Sequence, residues 1–457
     1  MPTWMRIATT VCLAATLGCQ VHADESAIVV NKDKHLGNAT CSNSQCHDAS
    51  QPWKVSAVMQ NESRLWLAQD PHAKAYSALK SPQALHIGKN LGIASPQSAD
   101  ECLACHADNV ALEKRGPRFN LADGVGCESC HGGAERWLGV HVSGTAGHAE
   151  NVAAGMAPLD DPFARAQVCA ACHVGNADQS VTHRLYASGH PKLVFELDTY
   201  TAAGANHFTV TDEYIKRKGR LNHAQTWAIG QAVAAQWWLN GIADPSRFHP
   251  GSQTGSQTGM QPELAFFTCD SCHHTMDEQR WLPRAELDHR TGQPRLNDAS
   301  LRMLDIVATR MAPTLAEQLS SQRVALHRAT LQGSEATAEA ARAQAKTVAQ
   351  LTTILRKQDV NRADTLALLH AVSQAPALDY TTAEQLTLAA SSLMAELNTD
   401  GQPNHPALQT ALDGLYRVVN KPEFYRSDNF HAAQLTLQRA LPLELNQQES
   451  SRLKPSR

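Results

Sequence analysis

Aromatic residues make up only 5% of this 457-residue chain, which leaves it short of the large side chains that usually fill a core of this size. Past Leu17 no apolar run is long enough to span a bilayer. The formal charge of -4 is spread along the chain without a basic block, which excludes the electrostatic footprint of a nucleic-acid binder. Cysteine stops at Cys272, so the last third of the chain has no thiol chemistry.

What is present is concentrated earlier. Asp123-Gly-Val-Gly-Cys127-Glu-Ser-Cys130-His131-Gly-Gly-Ala134 sets two thiols three positions apart with a histidine immediately after. Such thiols can bond the vinyl groups of haem while the histidine ligates its iron. The flanking glycines suit close passage of backbone beside a flat macrocycle. The same pattern recurs as Cys102-Leu-Ala-Cys105-His106, Cys169-Ala-Ala-Cys172-His173 and Cys269-Asp-Ser-Cys272-His273. Chance would supply roughly 0.01 to 0.02 such matches. Zinc would need CxxC pairs combined in fours and gives no reason for a histidine after every second cysteine. Iron–sulfur clusters need denser cysteine runs.

Cys41-Ser-Asn-Ser-Gln-Cys46-His47 has the wider spacing of four residues between its cysteines. It is read as a fifth haem motif, with a disulfide as the alternative. The cofactor expected is therefore haem c, five per chain and covalently attached, and five macrocycles would supply the apolar surface that the composition lacks.

The N-terminus has one basic residue, Arg6, then an apolar stretch to Leu17 and the small-x-small site Val21-His22-Ala23. This reads as a cleaved signal peptide over 1–23, and hence a periplasmic protein. Lipid anchoring at Cys19 is the weaker reading. Loss of Cys12 and Cys19 with the signal leaves ten cysteines for five pairs.

Residues 24–300 are expected to form a pentahaem cytochrome c domain, with short helices and long loops wrapped around packed haems. Ser56 to Leu67 and Ala73 to Leu79 read as such helices, and Gly251 to Gly259 as a polar surface loop. Asn222 to Asn240 has helical character and carries His223, Trp227, Trp237 and Trp238, whose tryptophans suit core packing or a haem edge. Residues 301–457 are rich in Ala, Leu and Gln. Leu301, Leu304, Ala308, Met311, Leu315 and Leu319 form one amphipathic stripe, and Ala341 to Leu355 another. Thr381 with Glu384 suggests a capping box, and breaks fall near Gly333, Pro376, Pro403 to Pro406 and Pro422. The fold class expected is mainly α, ending in a C-terminal bundle of four to six helices with a structural or docking role.

Each motif histidine, His47, His106, His131, His173 and His273, fills one axial position, and the opposite ligand decides between carrier and catalyst. Twelve further histidines lie between Asp24 and Ser300: His35, His72, His86, His141, His148, His183, His190, His207, His223, His249, His274 and His289.

The run Asp70-Pro-His72-Ala-Lys-Ala-Tyr-Ser-Ala-Leu-Lys80, then the motif at Cys102, then Gly124 to Gly132, then Trp137-Leu-Gly-Val-His141, resembles the multihaem cytochrome c-554 family over roughly residues 36 to 175. The resemblance implies that His72 ligates the third haem, that His141 ligates the first, and that the iron at His106 is left open. The chain departs from the family in its wide first motif, its fifth motif and its long tail. His183 and His190, with His223 behind them, are the local candidates for haems four and five.

These readings favour an electron carrier with mostly bis-histidine haems, serving anaerobic or nitrogen-cycle respiration. Its partners would be other cytochromes or a membrane quinol-oxidising complex, with a homo-oligomer left open. The alternative is an oxidoreductase acting on a small nitrogen or sulfur oxide or hydroxylamine at the open haem of His106. No CxxCK motif is present, and no motif marks Tyr186, Tyr200 or Tyr214 as substrate-activating.

Overall fold

The computed structural model describes residues 33–452 apart from 55–57, 205–206, 250–261, 275–286, 288–291, 378 and 399–405. The signal segment, Cys19, the 251–259 loop and His289 lie outside the described residues. Within them the chain is mainly helical and has no named strand, and no helix is long and apolar enough to cross a membrane.

Between Asn38 and Ala187 the helices are brief, each bounded by a local signal. Pro82–Leu91 begins where Ser81 accepts from the Ala84 N–H with proline at the first position, and stops at Gly92 in the left-handed region. Pro162–Ala170 starts the same way on Asp161. The motifs sit on or beside short helical segments: Asp100–His106 and Cys127–His131 hold two of them, Cys169 lies in the last turn of Pro162–Ala170 with Cys172 and His173 on the π-turn Ala171–Gly175, and Cys269 opens the 3-10 turn Cys269–Ser271. A helical turn places residues three apart on one side, so both sulfurs of a motif face the same way.

The third motif is the knot of this region. Glu128, almost fully buried, accepts hydrogen bonds from the N–H groups of Leu36, Gly37 and Ala134 at 2.8, 2.7 and 2.7 Å. The glycines beside it serve the chain itself. A Cβ on Gly126 would collide with the Asn38 side chain, and one on Gly133 with the Asp33 carbonyl.

The second region is a bundle whose helices include Ala299–Met311, Pro313–Ala329, Ser334–Leu355, Arg362–Gln374, Tyr380–Leu397, Pro406–Val418 and Ser427–Arg452, one more than the upper expectation. The stripe from Leu301 to Leu319 is split at Ala312-Pro313, because proline cannot donate within a continuous helix. The cap of Tyr380–Leu397 is Asp379, which accepts from Thr382 N–H at 2.7 Å, so Thr381 and Glu384 lie inside the helix.

Helix His223–Ala243, capped by Asn222, runs through the bundle's centre and packs on Ser334–Leu355, Pro162–Ala170, Ala299–Met311 and Tyr380–Leu397. Trp227, Ile229, Leu239 and Ile242 on it are at most 1% exposed and share one apolar core with Leu304, Leu351, Leu393 and Phe430. Each such side chain contributes about 1.5–3 kcal/mol on burial. This core includes buried residues on both sides of residue 301.

Candidate haem sites

Five histidine pairs stand out, each joining one motif histidine to one distant histidine. His47 faces His141 with ring centres 6.0 Å apart, His72 faces His173 at 6.2 Å, and His106 faces His190 at 6.4 Å. His131 faces His207 at 6.2 Å, and His183 faces His273 at 6.2 Å. Two imidazole–metal bonds of about 2.0 Å, plus about 1.1 Å from each nitrogen to its ring centre, give about 6.2 Å for two rings sharing one iron. Van der Waals stacking would bring parallel rings closer than that. The planes are near parallel for His47/His141 and His183/His273, at 9° and 29°, and near perpendicular for the other three, at 82° to 89°.

Several sequence expectations change. His190 stands opposite His106, at the position the resemblance leaves open. His72 faces the fourth motif at His173 rather than the third, and the third motif faces His207, which no local pattern singles out. His183 faces the fifth motif. His223 pairs with no motif histidine; its Nδ1 meets Asp198 at 2.9 Å. His148 meets Asp160 at 2.8 Å, and His35 meets Asp108 at 2.7 Å.

The second ring nitrogens are held as metal-bound imidazoles require. His47 Nδ1 meets Glu62 at 2.9 Å and His72 Nδ1 meets Asp70 at 2.9 Å. The Nδ1 atoms of His106 and His190 meet the carbonyls of Ala75 and Pro191, at 3.1 and 2.8 Å. Burial, reinforced by neighbouring histidines, pushes His131 down to about 4; burial, with His72 beside it, does the same to His173. Both rings therefore stay neutral, the form that ligates a metal.

The ten described motif cysteines, Cys41 and Cys46 included, carry free sulfurs. Their adjacency orders the sites. The Cys41 sulfur lies beside Cys127, the Cys105 sulfur beside Cys172, and Cys130 lies near Cys169. The first site thus adjoins the third, the third the fourth, and the fourth the second. Tyr186 stands edge-on to His190 at 6.3 Å and close enough to Cys269 for that sulfur to raise its phenol, after the larger effect of burial. Tyr186 thus lies near both the second and the fifth sites.

The surroundings fit a flat, apolar, carboxylate-bearing macrocycle. A cavity of about 300 Å³ opens beside His173, lined by Tyr186, Phe195, Trp238 and Phe266 among others. Trp238 and the core Trp227 both bury Nε1 without an acceptor, whereas Trp237 Nε1 donates to Gln167 at 2.6 Å. Cys269 and Cys272 are the exposed pair.

Comparison with curated proteins and with solved structures gives no match. Residues 40–132 match the family described as cytochrome c554 and c-prime, a segment that holds the first three motifs and His72. With the thiols, the paired histidines and that match together, the chain is a c-type cytochrome that binds haem covalently, takes part in electron transfer and resembles the cytochrome c554 and c-prime family over those residues.

Proposed function

We propose that this chain is an exported, periplasmic pentahaem electron carrier in which all five irons have two histidine ligands. The observation that carries the reading is the set of five histidine pairs at 6.0 to 6.4 Å. Haem supplies an iron that alternates between ferric and ferrous states. The chain's part is to fix both axial imidazoles, keep those of His131 and His173 neutral, exclude water and hold neighbouring sites in contact. Cysteine adjacency supports a single route through the sites of His47, His131, His173, His106 and His273 in that order. The exposed Cys269 and Cys272 suit the fifth site as an exchange port for another cytochrome or a membrane quinol-oxidising complex. Bis-histidine ligation without a sulfur ligand favours low potentials, in keeping with anaerobic or nitrogen-cycle respiration.

The enzymatic reading needs an iron open to a small nitrogen or sulfur oxide, and the place of His190 opposite His106 weighs against it. The test is intact mass and haemochrome quantification followed by electron paramagnetic resonance. Five haems per chain, all low-spin and unmoved by nitrite, cyanide or nitric oxide, are expected. One high-spin signal that shifts with nitrite would restore the enzyme.

A further inference from the structure

Arg165 lies on helix Pro162–Ala170, one turn before Cys169. Its Nη1 donates to the Leu159 carbonyl at 3.4 Å. Its Nε and Nη2 are buried and have no hydrogen-bond partner. These two nitrogens form the side-on edge of the guanidinium, the edge that takes both oxygens of a carboxylate in parallel. Nearby acids are committed elsewhere. Asp161 accepts from Phe163 N–H and from Arg356, and Asp198 is bonded to His223. Tyr214 and Cys169 complete the charged and titratable groups facing the guanidinium.

A guanidinium cannot shed its proton to escape burial, and an unpaired buried charge is strongly unfavourable. The edge therefore calls for an anion that the polypeptide does not supply. Each haem carries two propionate carboxylates. Two histidine pairs are within reach: His72/His173 through Cys169, and His131/His207 through Tyr214, which stacks on Phe208 at 5.2 Å beside His207.

We infer that Arg165 is a propionate clamp, its Nε and Nη2 donating a parallel pair of hydrogen bonds to one propionate of the haem at His173 or His131. The inference rests on the haem ligation proposed above. The clamp offsets the propionate charge that would otherwise favour ferric iron, and so holds that haem's potential up.

The test is potentiometric titration of the haem-loaded protein and of its Arg165→Gln and Arg165→Lys variants, followed by electron paramagnetic resonance at several pH values. In Arg165→Gln one haem should favour ferric iron about tenfold more, a fall of about 59 mV for one electron. Its potential should also become pH-dependent, because the released propionate now takes up a proton. Arg165→Lys keeps the charge but not the two-point geometry, and should fall less. Unchanged potentials in a fully loaded Arg165→Gln, or an equal fall in every haem, would overturn the clamp. So would wild-type potentials that move with added chloride or nitrite while those of Arg165→Gln do not, since the edge would then hold a diffusible ion. If Arg165→Gln fails to load, Arg165→Lys decides by the same readings. A wild-type chain that carries no haem by mass would sink the ligation itself and the clamp with it, an outcome distinct from a loaded protein with unmoved potentials.

Discussion

Between Asn38 and Ala187 no helix exceeds the 10 residues of Pro82–Leu91, whereas the helices from Ala299 onward run from 13 to 26 residues. Helices below about 12 residues are marginal in isolation. The first region has little apolar protein of its own to offset this: its separate buried cluster is Leu79, Leu103 and Ala107. The bundle's core spans every one of its helices. One region thus borrows its interior from a ligand, and the other makes its own. The low aromatic content belongs to the first strategy, and the Ala-Leu-Gln stripes to the second.

The comparison breaks most decisively at the third motif. Cys127→Ala combined with Cys130→Ala should remove one haem and unfold the region around Glu128 while the bundle persists. Limited proteolysis would then return a protected fragment containing the bundle, with most of the helical circular dichroism retained. Loss of the bundle as well would show that the regions do not differ in this way. In the opposite direction, Leu304→Ala, at a fully buried bundle position, should cost about 2–5 kcal/mol. Denaturant unfolding followed in the far ultraviolet should register that loss, and the haem absorption of the folded protein should not change.

A pH effect sharpens the boundary between the regions. Glu196 is raised to about 7, first by burial and then by the neighbouring Asp198 charge. The folded state therefore binds its proton more tightly than the unfolded chain does, and stability falls as pH climbs from the ordinary carboxylate range towards 7. The raised value, against an ordinary 4.5, corresponds to about 3 kcal/mol across that window. Glu196→Gln should flatten this part of the stability profile in denaturant titrations. The smallest effect belongs to His223, which meets Asp198 rather than a motif histidine. His223→Gln should leave every low-spin signal in place, whereas His207→Gln should turn one haem high-spin.

Much of this was legible in the residues. The motifs declare themselves because covalent attachment needs both thiols and the proximal histidine within five or seven consecutive positions. The bundle declares itself because apolar residues at helical spacing must face one another. The histidines that face the motifs did not, since a side chain brought from far along the chain needs no local pattern. His207, between Asn206 and Phe208, looks like any other histidine. His72 stands out in sequence but the motif histidine it faces does not, because whether that is His131 or His173 depends on how Asp70 and the turn after it are docked. Where one region gives way to the next is hard to read in sequence for a related reason. Helix His223–Ala243 lies among the haem motifs in sequence, yet its partners Ala299–Met311, Ser334–Leu355 and Tyr380–Leu397 lie after the last motif.

The histidine pairs also define a topology of closure. On the proposed ligation each iron staples two segments roughly 75 to 100 residues apart, a loop whose closure in the chain-entropy picture is worth about as much as a long-range disulfide, some 4–5 kcal/mol. The staples interlace: 47 to 141, 72 to 173, 106 to 190, 131 to 207 and 183 to 273 each overlap the next. Any cut between His72 and His207 severs at least two of them. The conducting region therefore has no internal modules to exchange or duplicate. Chain added outside the interlaced span would leave every staple intact, whereas a division in its middle would not.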